Sequence, residues 1–142
     1  MKFPYRKLPL IEPSAFFGAK IIKPIISIKV RYGTRDVDYF TLIDSGADFC
    51  IFDAEIGEAV GIAIERGEQI EFGGIQARTG SIGYLHDITI SVGGLTYETR
   101  VAFSREIAEH GFGILGQKGF FDIFSITFDY QKEEIILKEK RK

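Results

Sequence analysis

The chain has very little of what most catalytic and metal-binding sites are made from. Its 142 residues include one cysteine, Cys50, and two histidines, His86 and His110. A lone cysteine excludes an intrachain disulfide and suits a reducing compartment, so a cytoplasmic location is expected. Two histidines and one cysteine argue against a Cys/His zinc site, and no metal or other cofactor is called for, although a carboxylate-bound metal stays open. A Ser-His-Asp or Cys-His triad would need one of those histidines brought to it by folding. His86 stands beside Asp87 at a strand entrance, and His110 beside Gly111 at a helix end. Both are read as structural or surface residues. No apolar run approaches the length of a membrane span, so no membrane partner is expected. The basic segment Met1–Lys7 has no apolar stretch after it, so no secretory signal is expected. Excess positive charge is missing too. The net charge is −2, nothing points to nucleic acid as a partner, and the basic run from Lys138 to Lys142 reads as a solvated tail.

What is present is an ordinary globular balance, 45% hydrophobic and 27% charged, over a length that suits a single domain spanning 1–142. The prevailing hydrophobic period is two. Ile26 to Tyr32 alternates apolar and polar residues, Gly33 to Asp36 turns, and Val37 to Ile43 returns, which predicts a β-hairpin. Ile88 to Val92, Gly93-Gly94 and Leu95 to Phe103 predict a second. Phe124 to Phe128, a polar turn and Glu134 to Leu137 predict a third. Helical signals are short. Asp53 caps a stretch from Ala54 to Val60 that Gly61 ends, Ser104 caps a turn or two ending at Gly111, and Gln117 to Ile123 suits a third helix. The fold class is mainly β, a small closed or strongly curled barrel with short helices.

One stretch stands apart. From Phe40 to Phe52 a carboxylate, a hydroxyl and a glycine (Asp44-Ser45-Gly46) lie between two apolar runs. Asp is depleted in buried strands, so the pattern places an ionisable group at a tight turn inside the core. That costs stability unless the group is hydrogen-bonded or paired, which suggests chemistry.

Leu42-Ile43-Asp44-Ser45-Gly46-Ala47-Asp48 resembles the active-site motif of aspartic proteases, specifically the short retropepsin-like ones. Gly113-Ile114-Leu115-Gly116 resembles the apolar-apolar-Gly segment that supports the catalytic loop in that family. Phe72-Gly73-Gly74-Ile75-Gln76-Ala77 resembles the flap hairpin that closes over substrate. The resemblance covers roughly residues 24 to 138, in the family's order. It implies a retropepsin-like acid protease barrel, one lobe per chain, acting as an aspartic endopeptidase on polypeptide substrates.

Aspartic proteases use two carboxylates that share a proton, and this chain has one Asp-Ser-Gly. The resemblance therefore implies a homodimer with Asp44 from each subunit at a two-fold axis. It assigns Ser45, Gly46, Ala47 and Asp48 to support of the catalytic loop. Phe72, Gly73, Gly74 and Ile75 fall to the flap, and Ile114, Leu115 and Gly116 to the segment behind the loop. Where many relatives carry a hydroxyl that favours the charged carboxylate, Ala47 has none. A working range from mildly acidic to near neutral is expected, and a pH–rate profile peaking at about pH 2 would contradict it. The family often has Arg after the apolar-apolar-Gly segment, facing the second aspartate of the loop. Here Gln117 and Lys118 follow Gly116. Asp48 is expected to be held by one of them or by another basic residue. The alternative reading is a non-catalytic module that keeps the fold for dimerisation or peptide binding.

Overall fold

The structure is a computed structural model, and it describes residues 1–73, 80–107 and 111–140. The strands in chain order are β1 (Lys2–Pro4), β2 (Arg6–Ser14), β3 (Gly18–Lys23), β4 (Ile25–Tyr32), β5 (Arg35–Ile43) and β6 (Ile51–Asp53). Helix α1 (Ala54–Ala59) and a short 3-10 turn (Ile64–Arg66) come next. They are followed by β7 (Glu68–Phe72), β8 (Ser81–Val92), β9 (Leu95–Ser104), β10 (Gly113–Leu115), β11 (Phe124–Asp129) and β12 (Glu134–Glu139).

Six of these strands close into a barrel in the order β4-β5-β10-β6-β9-β8. The ring is completed by β8 pairing back onto β4 through Lys29–Ser91, Val30–Ile90 and Arg31–Thr89. Closure removes the open edges that a curled sheet of this size would otherwise expose. Strand β7 extends the sheet beyond β8. The alternating patterns end up as expected. Ile26, Ile28 and Val30 of β4 point inward with Tyr39, Thr41 and Ile43 of β5 and Ile88, Ile90 and Val92 of β8. Phe52, Phe103, Phe120 and Phe124 fill the centre. Thr41 of β5 is fully buried, and its hydroxyl donates to the Ile26 carbonyl oxygen at 3.0 Å, so its burial leaves no polar group unmatched. Gly93 and Gly94 both take positive φ between β8 and β9, the conformation a two-residue hairpin turn demands. The β11–β12 hairpin forms a second sheet with β1.

Helix α1 matches its sequence signals: the Asp53 carboxylate accepts from the Glu55 N–H at 3.0 Å, and the chain turns off at Val60-Gly61. One expected helix is replaced, and another lies partly outside the described residues. Ser104 ends β9, fully buried, with its hydroxyl donating to the Ile82 carbonyl oxygen and accepting from the Glu106 N–H. A bend follows at 105–106; the rest of that expected helix, His110 included, lies outside the described residues. Residues 117–123 form a series of turns, not a helix. The reason is backbone conformation: Gly119 takes φ +104, outside the helical region, and the Phe121 and Asp122 N–H groups reach back five residues to the Gly116 and Gln117 carbonyl oxygens. The sequence pattern also marks no strand before Ile26, whereas β1, β2 and β3 precede it and Tyr5 is part of the core cluster.

Candidate functional site

Strand β5 ends at Ile43, and the next residue is Asp44. Its side chain is half-buried, and Ser45, Gly46 and Asp48 are exposed. This corrects the expectation of a carboxylate inside the core. The inward positions of β5 stop at Ile43, and the chain leaves the barrel there with the acid at its rim.

The turn is held from within and from behind. The Gly46 N–H donates to Asp44 Oδ1 at 2.9 Å, and the Ala47 N–H to the Asp44 carbonyl oxygen at 3.2 Å. Behind it runs β10, parallel to β5 with Ile114 opposite Leu42 and Leu115 opposite Ile43, and antiparallel to β6 at Ile51. The Asp44 N–H donates to the Leu115 carbonyl oxygen at 3.0 Å. Past β10, the Gln117 and Lys118 N–H groups donate to the Ala47 and Asp48 carbonyl oxygens at 2.8 and 2.9 Å. The Gln117 side-chain amide donates to the Ser45 carbonyl oxygen at 2.7 Å. Segment 113–118 thus engages the loop at Asp44, Ser45, Ala47 and Asp48.

Both glycines of Gly113-Ile114-Leu115-Gly116 are there for space. A Cβ on Gly113 would lie 2.5 Å from the Tyr39 ring and 2.9 Å from that of Phe52. A Cβ on Gly116 would run into the Phe49 carbonyl oxygen and come within 2.8 Å of that of Ala47. Only a residue without a side chain lets the two segments cross so closely.

Gln117 therefore serves the loop through Ser45, not Asp48. Lys118 meets Asp48 only through its backbone, and the Asp48 carboxylate has no hydrogen bond or ion pair among the described residues. On the other side, Phe49 packs edge-on against Phe72, ring centroids 6.1 Å apart, and ties the loop to the end of β7. Strands β7 and β8 pair up to Phe72–Ser81. Of the expected flap residues, Phe72 and Gly73 stand at this end of the hairpin. Gly74, Ile75, Gln76 and Ala77 lie outside the described residues.

Cys50 is fully buried behind the loop. It receives the Gly116 N–H at 3.4 Å, and burial pushes its thiol from near 9 up to about 12. At pH 8 the folded chain should react with a thiol reagent thousands of times more slowly than the denatured chain, as thiol titration with and without denaturant would show. Burial likewise pushes Tyr39 up to about 12, the hydroxyl accepting from the Asp53 N–H at 3.1 Å. Both groups are held neutral in the fold, so their contribution is complete below their ordinary values and is lost as pH rises through about 9 to 12. His86 has a structural partner, with Nε2–H donating to the Ile64 carbonyl oxygen at 2.8 Å. No group of three or more His, Cys, Asp or Glu side chains suited to a metal ion occurs among the described residues. No helix among them is long and apolar enough to cross a membrane.

No family model matches the chain, and no curated protein matches it. Solved structures do. The crystal structure of a retropepsin-like aspartic protease from Rickettsia conorii superposes with a TM-score of 0.52 over 80% of this chain and 81% of that one, at 13% identity. The fold is retropepsin-like. EIAV protease complexed with the inhibitor HBY-793 is also similar, with a TM-score of 0.49 over 67% of this chain and 82% of that one, at 19% identity.

Proposed function

We propose that the chain is an aspartic endopeptidase whose active site is completed by a second copy, with Asp44 of each subunit as the catalytic pair. The observation that carries this reading is the Asp44 loop. A half-buried carboxylate at the barrel rim is fixed by the Gly46 N–H and braced by segment 113–118 on a retropepsin-like barrel.

The chemistry follows from two carboxylates a few ångströms apart, which cannot both ionise easily. The ionised one takes a proton from a water molecule, and the water oxygen attacks the peptide carbonyl carbon. The protonated one donates to the developing oxyanion. Collapse of the tetrahedral species breaks the C–N bond, and a proton passes to the leaving nitrogen, giving a carboxylic acid and an amine. Ser45, with its hydroxyl exposed, would hydrogen-bond across the two-fold and hold the two loops together. The polypeptide would lie extended over the paired loops and under the β7–β8 hairpins, bound through main-chain hydrogen bonds. The buried thiol of Cys50 fits a reducing, cytoplasmic setting.

The test is digestion of casein and a peptide library across pH, with and without a statine-type transition-state inhibitor. Cleavage blocked by the inhibitor supports the reading. An inhibitor-bound dimer that cleaves nothing would instead favour the non-catalytic, peptide-binding module.

A further inference from the structure

Strands β2 and β3 form a two-stranded sheet of their own, paired from Arg6–Lys23 to Ser14–Gly18, hydrogen-bonded to neither of the other sheets. An isolated hairpin of this kind is marginal in water. Yet its outer half carries three of the four most exposed large apolar side chains of the described chain: Ile11, fully exposed, Phe16 at 88% and Phe17 at 53%, the fourth being Tyr130. Phe16 and Phe17 pack edge-on against each other at 4.9 Å and leave an open groove of about 560 Å³ between the hairpin and Tyr130. The described residues leave this tip uncovered.

We propose that this hairpin is an arm that grips a second copy of the chain, with Phe16 and Phe17 as its anchors. Two observations select that occupant. The first is position. The arm's base lies at the Asp44 end of the barrel. Lys23 and Pro24 lead directly into β4, the Pro24 carbonyl oxygen accepts the Ile43 N–H at 2.9 Å, and Ile25 stands opposite Leu42. Arg6, at the base of the other strand, stacks 4.0 Å over the Phe40 ring of β5. An arm rooted there extends from the end of the barrel that must meet its copy if the Asp44 pair forms. The second is charge. Residues 6–23 hold Arg6, Lys7, Lys20 and Lys23 against Glu12 alone, a net +3, and the whole chain is −2, which leaves −5 on the remainder. A basic arm and an acidic body attract each other between copies. In a two-fold dimer each contact occurs twice, and two aromatic anchors per arm place four Phe side chains in the interface.

The inference rests on the dimer of the proposed function, and its test reads association without reference to catalysis. The dimer dissociation constant of the full chain is measured by sedimentation, alongside the double variant Phe16→Asp/Phe17→Asp, with the melting temperature of both. The expected result is a rise of about 100-fold in that constant with little change in melting temperature. In mixed light- and heavy-isotope protein, amine cross-linking should give intermolecular links at Lys20. A dimer of unchanged affinity in the double variant would overturn the arm and leave the peptidase reading intact. A parent chain that stays monomeric while its tip binds anionic vesicles would overturn it in favour of a membrane surface. A dimer weakened by the substitutions but without peptidase activity would support the arm and count against the enzyme.

Discussion

Asp44→Asn should reduce peptide cleavage at least about 1,000-fold while leaving fold and dimer in place. The size follows from what is removed. In a two-fold pair a single substitution replaces both carboxylates, so the general base and the general acid disappear together, and each such role is worth about 10²–10⁴ in rate. The retained fold follows from the geometry. Asp44 uses Oδ1 to accept the Gly46 N–H, and asparagine has an oxygen in the same place. Its backbone N–H still reaches the Leu115 carbonyl oxygen, and its half-buried position asks for no charged partner. Asparagine carries no charge, so the substitution introduces no like-charge repulsion at the axis and association should be retained. The measurement is kcat/KM on a cleaved peptide, with sedimentation and a thermal melt on the same sample. Full activity in a well-folded Asp44→Asn dimer would remove Asp44 from the chemistry. Lost activity with a lost fold would be uninformative alone, which is why Gly46 and Leu115 matter: their bonds survive the substitution.

How much of this was legible in the residues depends on whether the deciding interaction is local. Strands β4, β5, β8, β9, β11 and β12 follow from alternation because each has a wet side and a dry side. The arm carries no such signal because Pro9 and Pro13 interrupt the strand pattern of β2. They are tolerated since β2 borders a single neighbour and its register shifts between Pro9 and Ser14. Residues 117–123 have helical composition, but Gly119 takes φ +104 and breaks the run into turns. A non-local contact, which no local pattern records, sends the Gln117 side chain to the Ser45 carbonyl and leaves Asp48 unpaired within the described chain. The turn at Asp44 is legible between its apolar runs, whereas its degree of burial is not. Flanking apolar runs indicate that a turn joins two buried strands, not on which side of the rim the turn lies.

Gly116→Ala should lower the melting temperature by roughly 10 °C and cut kcat/KM about 100-fold in the protein that remains folded. The added methyl has nowhere to go. Its nearest atoms are the Phe49 carbonyl group, with the carbon at 2.6 Å, and the Ala47 carbonyl oxygen at 2.8 Å. All are backbone, so no rotamer change relieves the contact, unlike Gly113, where the obstacles are the rings of Tyr39 and Phe52. Either segment must move. If the Asp44 loop moves outward, it stretches the bonds from Gln117 and Lys118 to Ala47 and Asp48. If β10 recedes, it strains the Gly116 N–H contact with Cys50 and the Leu115 bond to the Asp44 N–H. Forced overpacking of this kind costs about 3 kcal/mol. The activity loss has a separate cause, because displacement of a reacting group by about 1 Å suffices for a 100-fold drop. Melting curves and kinetics well below the transition separate the two effects. A variant that melts with the parent and cleaves as fast would mean that segment 113–118 lies behind the Asp44 loop without bracing it.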